Sequence, residues 1–138
     1  MNNTKIKKED LQTNEARQEL GLALSDMLQG IAKDWSLSRA TIASILHIPE
    51  ATVKGWLHEQ KGKVHVGTIV DNNLQAVIDF IGLYNLAASF FIKTSDQTSW
   101  FKSPSPRYGD TSPMEKIISG DAHALHQVKS ALEWTANP

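Results

Sequence analysis

The chain has 138 residues, a formal net charge of −1 and a hydrophobic fraction of 41%, which is typical of a globular protein with one domain or two small domains sharing a core. It contains no cysteine, which excludes disulfide bonds and thiolate metal sites. No apolar run reaches the roughly 18 residues that a membrane-spanning helix requires, and we therefore expect a cytoplasmic protein that does not contact the membrane.

The first predicted helix covers residues 14–33 and follows a polar N-terminal stretch. That stretch, residues 1–10, lacks the apolar segment of a secretory signal and is expected to be a loose terminus. Within the helix, apolar residues recur mainly three and four positions apart: Ala16, Leu20, Ala23, Leu24, Met27, Leu28 and Ile31. This spacing predicts a helix with one apolar face.

Residues 37–57 have the pattern of a helix, a tight turn and a second helix. Ser38 is placed to cap the first helix, and Pro49 stops its extension and suits the start of the second. The inward positions are Ile42, Ile45 and Leu46 in the first helix and Val53, Trp56 and Leu57 in the second. Two helices joined in this way form a helix-turn-helix unit, which lays its second helix in the major groove of DNA.

The pattern is similar to that of Xre-type repressors, with Ala43, Ile48, Val53 and Trp56 in the packing positions. By this resemblance, the positions that approach DNA are Arg39, Glu50, Ala51, Thr52 and Lys54. A plain helical corner is the alternative, because Glu50 would repel phosphate unless it accepts a hydrogen bond from a cytosine amino group. Residues 1–66 carry nine basic and eight acidic side chains, so DNA contact would depend on local Lys and Arg placement and on salt.

A glycine-containing linker, residues 60–67, is expected to separate a first part, residues 1–66, from a second part, residues 67–138. The dense apolar residues of 68–91 predict two helices broken near Gly82, which form the core of the second part. Ser95 or Asp96 is then placed to cap a short helix that carries Trp100 and Phe101 inward.

The last third of the chain contains clear helix boundaries. Pro104 and Pro106 predict an irregular connection over residues 102–110, with Gly109 supplying a turn. Next come Ser112 as an N-cap, Pro113 as the first helical residue, Glu115 to close a capping box, Gly120 as a left-handed helix stop, and Asp121 as the cap of a last helix. That last helix has Leu125, Val128 and Leu132 on one face.

This order of residues resembles the toxin-binding domain of the Xre/MbcA/ParS antitoxin family. The matching positions are Trp100-Phe101, Pro104, Gly109, Ser112-Pro113-Met114-Glu115, Ile117-Ile118 and Gly120, and the likeness extends over roughly residues 70–134. It implies an all-α protein with an N-terminal helix-turn-helix bundle followed by a small helical toxin-binding domain. It also implies an antitoxin of a type II toxin-antitoxin pair that blocks a RES-domain toxin, which consumes NAD or ADP-ribosylates a target, and that regulates its own operon.

The candidate toxin-binding residues are those that helical spacing places away from the apolar face of the last helix, together with the C-terminal tail. They are Lys116, Lys129, Trp134, Asn137 and Pro138. An exposed Trp is a frequent interface anchor, although Trp134 could instead close the core of its own domain. We expect a homodimer that presents two recognition helices to palindromic operator DNA. A stand-alone helix-turn-helix regulator without a toxin is the alternative function.

Signals for catalysis are sparse. His123 and His126 lie three positions apart and could share a metal, but no third ligand is evident, and such a pair is usually a solvated helix face. The chain has neither a G-x-S-x-G elbow nor a phosphate-binding glycine loop. We therefore expect no catalytic residues, no metal site, no cofactor and no enzymatic activity.

Overall fold

The computed structural model describes residues 14–57, 69 and 73–136, and over these ranges the protein is all α-helical, as predicted. The described residues form seven α-helices and no strand. The helices are α1 (Asn14–Asp34), α2 (Arg39–Leu46), α3 (Glu50–Trp56), α4 (Leu74–Phe90), α5 (Thr94–Lys102), α6 (Pro113–Ser119) and α7 (Ala124–Ala136).

The α2–α3 pair forms where the sequence predicts it. The Ser38 hydroxyl accepts a hydrogen bond from the backbone N–H of Thr41 at 3.1 Å, so Ser38 is the N-cap of α2. Three residues, 47–49, separate the two helices, and Pro49 is the N-cap of α3. The side chains of Ile42, Ile45, Leu46, Val53 and Trp56 are buried, which confirms the predicted inward faces.

One apolar core contains residues from both sides of the predicted linker, residues 60–67, which lies outside the described residues. The Ser25 hydroxyl donates to the backbone carbonyl of Trp56, which joins α1 to α3. Trp35, fully buried just after α1, packs against Phe80 of α4 and Phe101 of α5, with ring centroids 6.4 and 4.6 Å away. The two parts therefore stabilise each other, and a functional boundary near residue 66 stays a prediction.

Two predictions about helix boundaries in the middle of the chain are wrong. The predicted break near Gly82 does not occur, because α4 continues through it from Leu74 to Phe90. An added Cβ at Gly82 would lie 3.0 Å from Cε of Lys129, so the glycine makes room for a side chain of α7. Neither Ser95 nor Asp96 caps α5, since this helix begins at Thr94 and its N-cap, Lys93, makes no side-chain capping bond.

The connection between α5 and α6 is short and internally bonded. It contains a 3₁₀ turn, Pro106–Tyr108, and an isolated backbone bridge between Ser105 and Thr111. Gly109 adopts a left-handed conformation with φ of 69°, as expected for the turn residue. The Arg107 guanidinium donates to the Ala131 carbonyl at 3.3 Å and so holds this connection against α7.

The start of α6 is confirmed, whereas its end differs from the prediction. The Ser112 hydroxyl accepts from the backbone N–H of Glu115 at 3.0 Å, and Pro113 is the first helical residue. Gly120 is extended, with φ of −90° and ψ of −165°, so the predicted left-handed stop is wrong. A glycine is needed for space, because an added Cβ would lie 2.7 Å from the Cβ of Ala124. Asp121 accepts from the His123 N–H at 2.8 Å in the turn that precedes α7, three residues before the first residue of this helix, Ala124.

Helix α7 packs along α4 with their first turns side by side, since residues from the beginnings of both helices line one cavity. Among the described helices, none is by itself both long and apolar enough to cross a bilayer. Only α4 and α5 taken together have the required length and composition, and a bend of 120° separates them.

Candidate functional site

The predicted DNA-approaching residues are exposed or half-exposed on the α2–α3 pair. Arg39, Glu50, Ala51 and Lys54 are exposed, and Thr52 is half-buried. The opposite side of α3 is buried through Val53 and Trp56, so Trp56 is a core residue and not a stacking platform. The pair therefore presents one arginine, one lysine and one glutamate on a surface that the core holds in place.

The turn between α2 and α3 is a Schellman-type helix end. The backbone N–H of Ile48 donates to the Ala43 carbonyl at 3.0 Å, and His47, which follows α2 directly, adopts a left-handed conformation with φ of 58°. Its imidazole reaches across to α6, where Nε2 lies 3.0 Å from the backbone carbonyl oxygen of Ile117. This contact joins residues 70 positions apart, and no local sequence signal announces it.

A surface cavity of about 400 Å³ separates the α2–α3 pair from α6. Its walls are Ala40, Ala43, Ser44, His47, Ile48 and Glu50 on one side and Ile118 on the other. Because Glu50 begins α3, α6 lies beside the leading end of the predicted recognition helix. The C-terminal half therefore borders the surface that is expected to approach DNA.

The predicted toxin-binding residues differ from one another in location and exposure. Lys116 is exposed on α6. Trp134, near the end of α7, is 71% exposed, so it does not close the core of its own domain. Asn137 and Pro138 lie outside the described residues. Another apolar side chain, Ile92, lies two residues after the end of α4 and is 93% exposed.

Most of the Lys129 side chain is covered, and its charged end lies beside a buried carboxylate. Only 23% of its side chain is exposed, and its ammonium group lies 3.9 Å from the carboxylate of Asp79 on α4. Asp79 is itself buried and also accepts a hydrogen bond from Nε2 of Gln75 at 3.1 Å. The third neighbour is His126, whose Nδ1 lies 3.7 Å from the same carboxylate oxygen. Lys129 therefore contributes to the packing of α7 on α4.

A second cavity, of about 470 Å³, lies where the first turns of α4 and α7 meet the end of α2. The polar side chains among its walls are His47, Gln75, Asp79, His123 and His126. His123 directly precedes α7 and His126 lies within it, and both side chains are exposed, as predicted for a solvated pair. Over the described ranges, no group of three or more His, Asp or Glu residues is arranged to hold a metal ion.

Comparison of the chain with protein-family models and with curated proteins finds no match. The resemblance to the antitoxin family therefore rests on the order and spacing of residues in the C-terminal motif. The function that this resemblance implies is treated below as a proposal.

Proposed function

We propose that this protein is an antitoxin of a type II toxin-antitoxin pair, in which the C-terminal half binds a RES-domain toxin and the α2–α3 pair binds operator DNA. The observation that favours this proposal is the combination of two surfaces in one chain. One is the exposed polar side of α3, and the other is the end of α7, where Trp134 is 71% exposed. Large exposed aromatic side chains are enriched among the residues that anchor protein interfaces.

Inhibition of the toxin would be steric. The toxin of this family consumes NAD or ADP-ribosylates a target, and the antitoxin needs only to cover its active site. Lys116 and Trp134 are the exposed residues proposed to contact the toxin, together with Asn137 and Pro138 of the tail. Lys129 would act chiefly by holding α7 against Asp79, because most of its side chain is covered.

DNA binding would depend on a few side chains. Arg39 and Lys54 are exposed on the α2–α3 pair and are proposed to contact phosphate groups. Glu50, at the first position of α3, would favour a cytosine, whose amino group donates in the major groove. Since the net charge of the chain is only −1, affinity would rest on these local contacts and would fall steeply with added salt.

A homodimer in the cytoplasm is the proposed form of the protein. Ile78 of α4 and Met27 of α1 are 43% and 50% exposed, which leaves apolar surface for a second copy. A two-fold axis would present two copies of α3 to a palindromic operator. Light scattering at tens of micromolar should then give twice the chain mass, and a monomer mass that does not change with concentration would contradict the dimer.

Co-expression tests the proposed function. The proposal predicts that a RES-domain protein is encoded beside this chain. Cells that express that protein should stop growing, and the full-length chain should restore their growth. Absence of rescue at equal protein abundance would contradict the antitoxin function. A chain that shifts its own promoter fragment but rescues no such toxin would instead be the stand-alone regulator.

A further inference from the structure

The turn between α2 and α3 has a histidine where a glycine is the usual residue. His47 has φ of 58° and ψ of 45°, and it occupies the left-handed position of the Schellman-type end of α2. A side chain with a Cβ is disfavoured in this conformation, whereas glycine adopts it freely. Residues kept in a disfavoured conformation often mark a functional constraint, so the imidazole of His47 requires an explanation.

The imidazole makes a contact that glycine cannot make. Its Nε2 donates to the backbone carbonyl of Ile117 at 3.0 Å. Because a carbonyl oxygen only accepts, the neutral ring carries its proton on Nε2. Ile117 is fully buried in α6, a helix that Ser112 caps at its start. The turn is therefore bonded to an element that is fixed in the core.

The first turn of α3 is held by backbone bonds from Thr52 and Val53 to the Pro49 carbonyl. The buried side chains of this seven-residue helix are Val53, its fourth residue, and Trp56, its last. Pro49 is its N-cap but forms no side-chain capping bond. Glu50 follows His47 by three positions and faces the cavity that Ile118 closes. The contact from His47 to α6 thus ties the turn before α3 to the C-terminal half, whereas the backbone bonds around Pro49 stay within the α2–α3 pair.

We propose that His47 is a positioning residue for DNA recognition. Its hydrogen bond to Ile117 sets the orientation of the turn, and thereby of Glu50, Ala51 and Lys54, relative to α6. The C-terminal half would in this way hold the recognition helix in the orientation that enters the major groove. This inference rests on the DNA-binding part of the proposed function.

The variant His47→Gly separates the two properties of this residue. It removes the bond to Ile117 but relieves the disfavoured backbone conformation, so the fold should keep its thermal stability. Affinity of the full-length chain for a duplex of its own promoter, measured by fluorescence anisotropy, should weaken about fivefold, as expected for loss of one orienting hydrogen bond. His47→Asn also tolerates the left-handed turn and should weaken binding equally, since its shorter amide does not reach α6.

Two further variants act as controls. The amide nitrogen of glutamine takes nearly the place of Nε2, so His47→Gln should recover most of the wild-type affinity. Asp110 is another exposed residue with a positive φ, 64°, and Asp110→Gly should leave DNA affinity unchanged. Wild-type affinity in both His47→Gly and His47→Asn would overturn this inference alone. Failure of the wild-type chain to bind its promoter at low salt would overturn the DNA-binding function and this inference together.

Discussion

The indole N–H of Trp35 donates to Oε1 of Gln97 at 3.0 Å, and Nε2 of the same amide donates to the carbonyl of Phe91 at 2.8 Å. Trp35 is fully buried and Gln97 is 5% exposed, so both polar groups lie in the core with their partners. An amide that accepts from one element and donates to another fixes their relative position. Gln97 therefore links the end of α1 to the segment between α4 and α5.

Replacing Gln97 should destabilise the protein without affecting an exposed surface. Gln97→Ala leaves the buried indole N–H and the Phe91 carbonyl without this partner, and each unpaired group has a desolvation cost. The free energy of unfolding should fall by about 2–3 kcal/mol. Urea unfolding measures the difference, and Ser99→Ala, at an exposed position of the same helix, is the matched control. Equal stability of the two variants would contradict the role given to Gln97.

Tyr84 makes stability depend on pH in the alkaline range. Its hydroxyl donates to the Asp34 carboxylate, and this bond, with burial and the nearby charge, raises the pKa of Tyr84 from 10.0 to about 12. The folded-state pKa exceeds the unfolded one, so the stabilisation is complete below pH 10 and is lost as pH rises towards 12.

The variant Tyr84→Phe tests this dependence. It should cost roughly 0.5 kcal/mol near neutral pH, because solvent screens a pair at the surface. The difference in unfolding free energy between wild type and variant should shrink as pH increases above 10. If this difference in unfolding free energy grows as pH rises above 10, the predicted direction of the pH dependence is wrong.

Two glycines should respond to alanine with opposite signs. At Gly120 an added Cβ would lie 2.7 Å from Ala124 Cβ and 2.9 Å from the Lys116 carbonyl, so Gly120→Ala should lower the unfolding free energy by about 1–3 kcal/mol. At Gly30, exposed within α1, nothing lies within 4 Å, and Gly30→Ala should raise it by up to about 1 kcal/mol. Thermal melts of both variants measure these two stability changes. A shift of both melting temperatures in the same direction would contradict the predicted opposite signs.

The two lysines that the sequence predicts for toxin binding should differ in how much stability is lost when each is replaced by alanine. Lys129→Ala removes the ammonium group beside the buried Asp79 and should cost about 1 kcal/mol. Lys116→Ala, at an exposed position, should change stability by less than about 0.5 kcal/mol. Unfolding measurements on both variants should precede any toxin-binding assay. Loss of stability in Lys116→Ala but not in Lys129→Ala would contradict the structural role given to Lys129.

The features that the sequence predicts correctly are local. Ser38 and Ser112 each bond to a backbone N–H three residues ahead, so both helix starts are visible within four residues. The wrong prediction at Gly82 and the contact of His47, which the sequence does not reveal, involve partners that are distant along the chain. Gly82 predicts a helix break, but in the structure it lies beside the side chain of Lys129, which is far along the chain. The bond from His47 to Ile117 likewise follows from how helices pack and not from any motif.

The end of α7 can be removed with little effect on the core. Deletion of residues 134–138 leaves the buried Leu132 of α7 in place and removes the exposed Trp134. The truncated protein should remain folded by circular dichroism and should still shift its promoter, but it should no longer rescue toxin-expressing cells. Rescue at the wild-type level and equal abundance would place the inhibitory contacts elsewhere on the surface.

Inhibition of the purified toxin is the most direct measurement of the proposed function. The proposed partner, a RES-domain toxin if one is encoded beside this chain, would be assayed for NAD consumption or ADP-ribosylation while the full-length chain is titrated in, with the truncated protein as the control. The proposal predicts that activity falls to background near equimolar full-length chain and persists with the truncated protein. Full toxin activity in the presence of a large excess of folded full-length chain would contradict it.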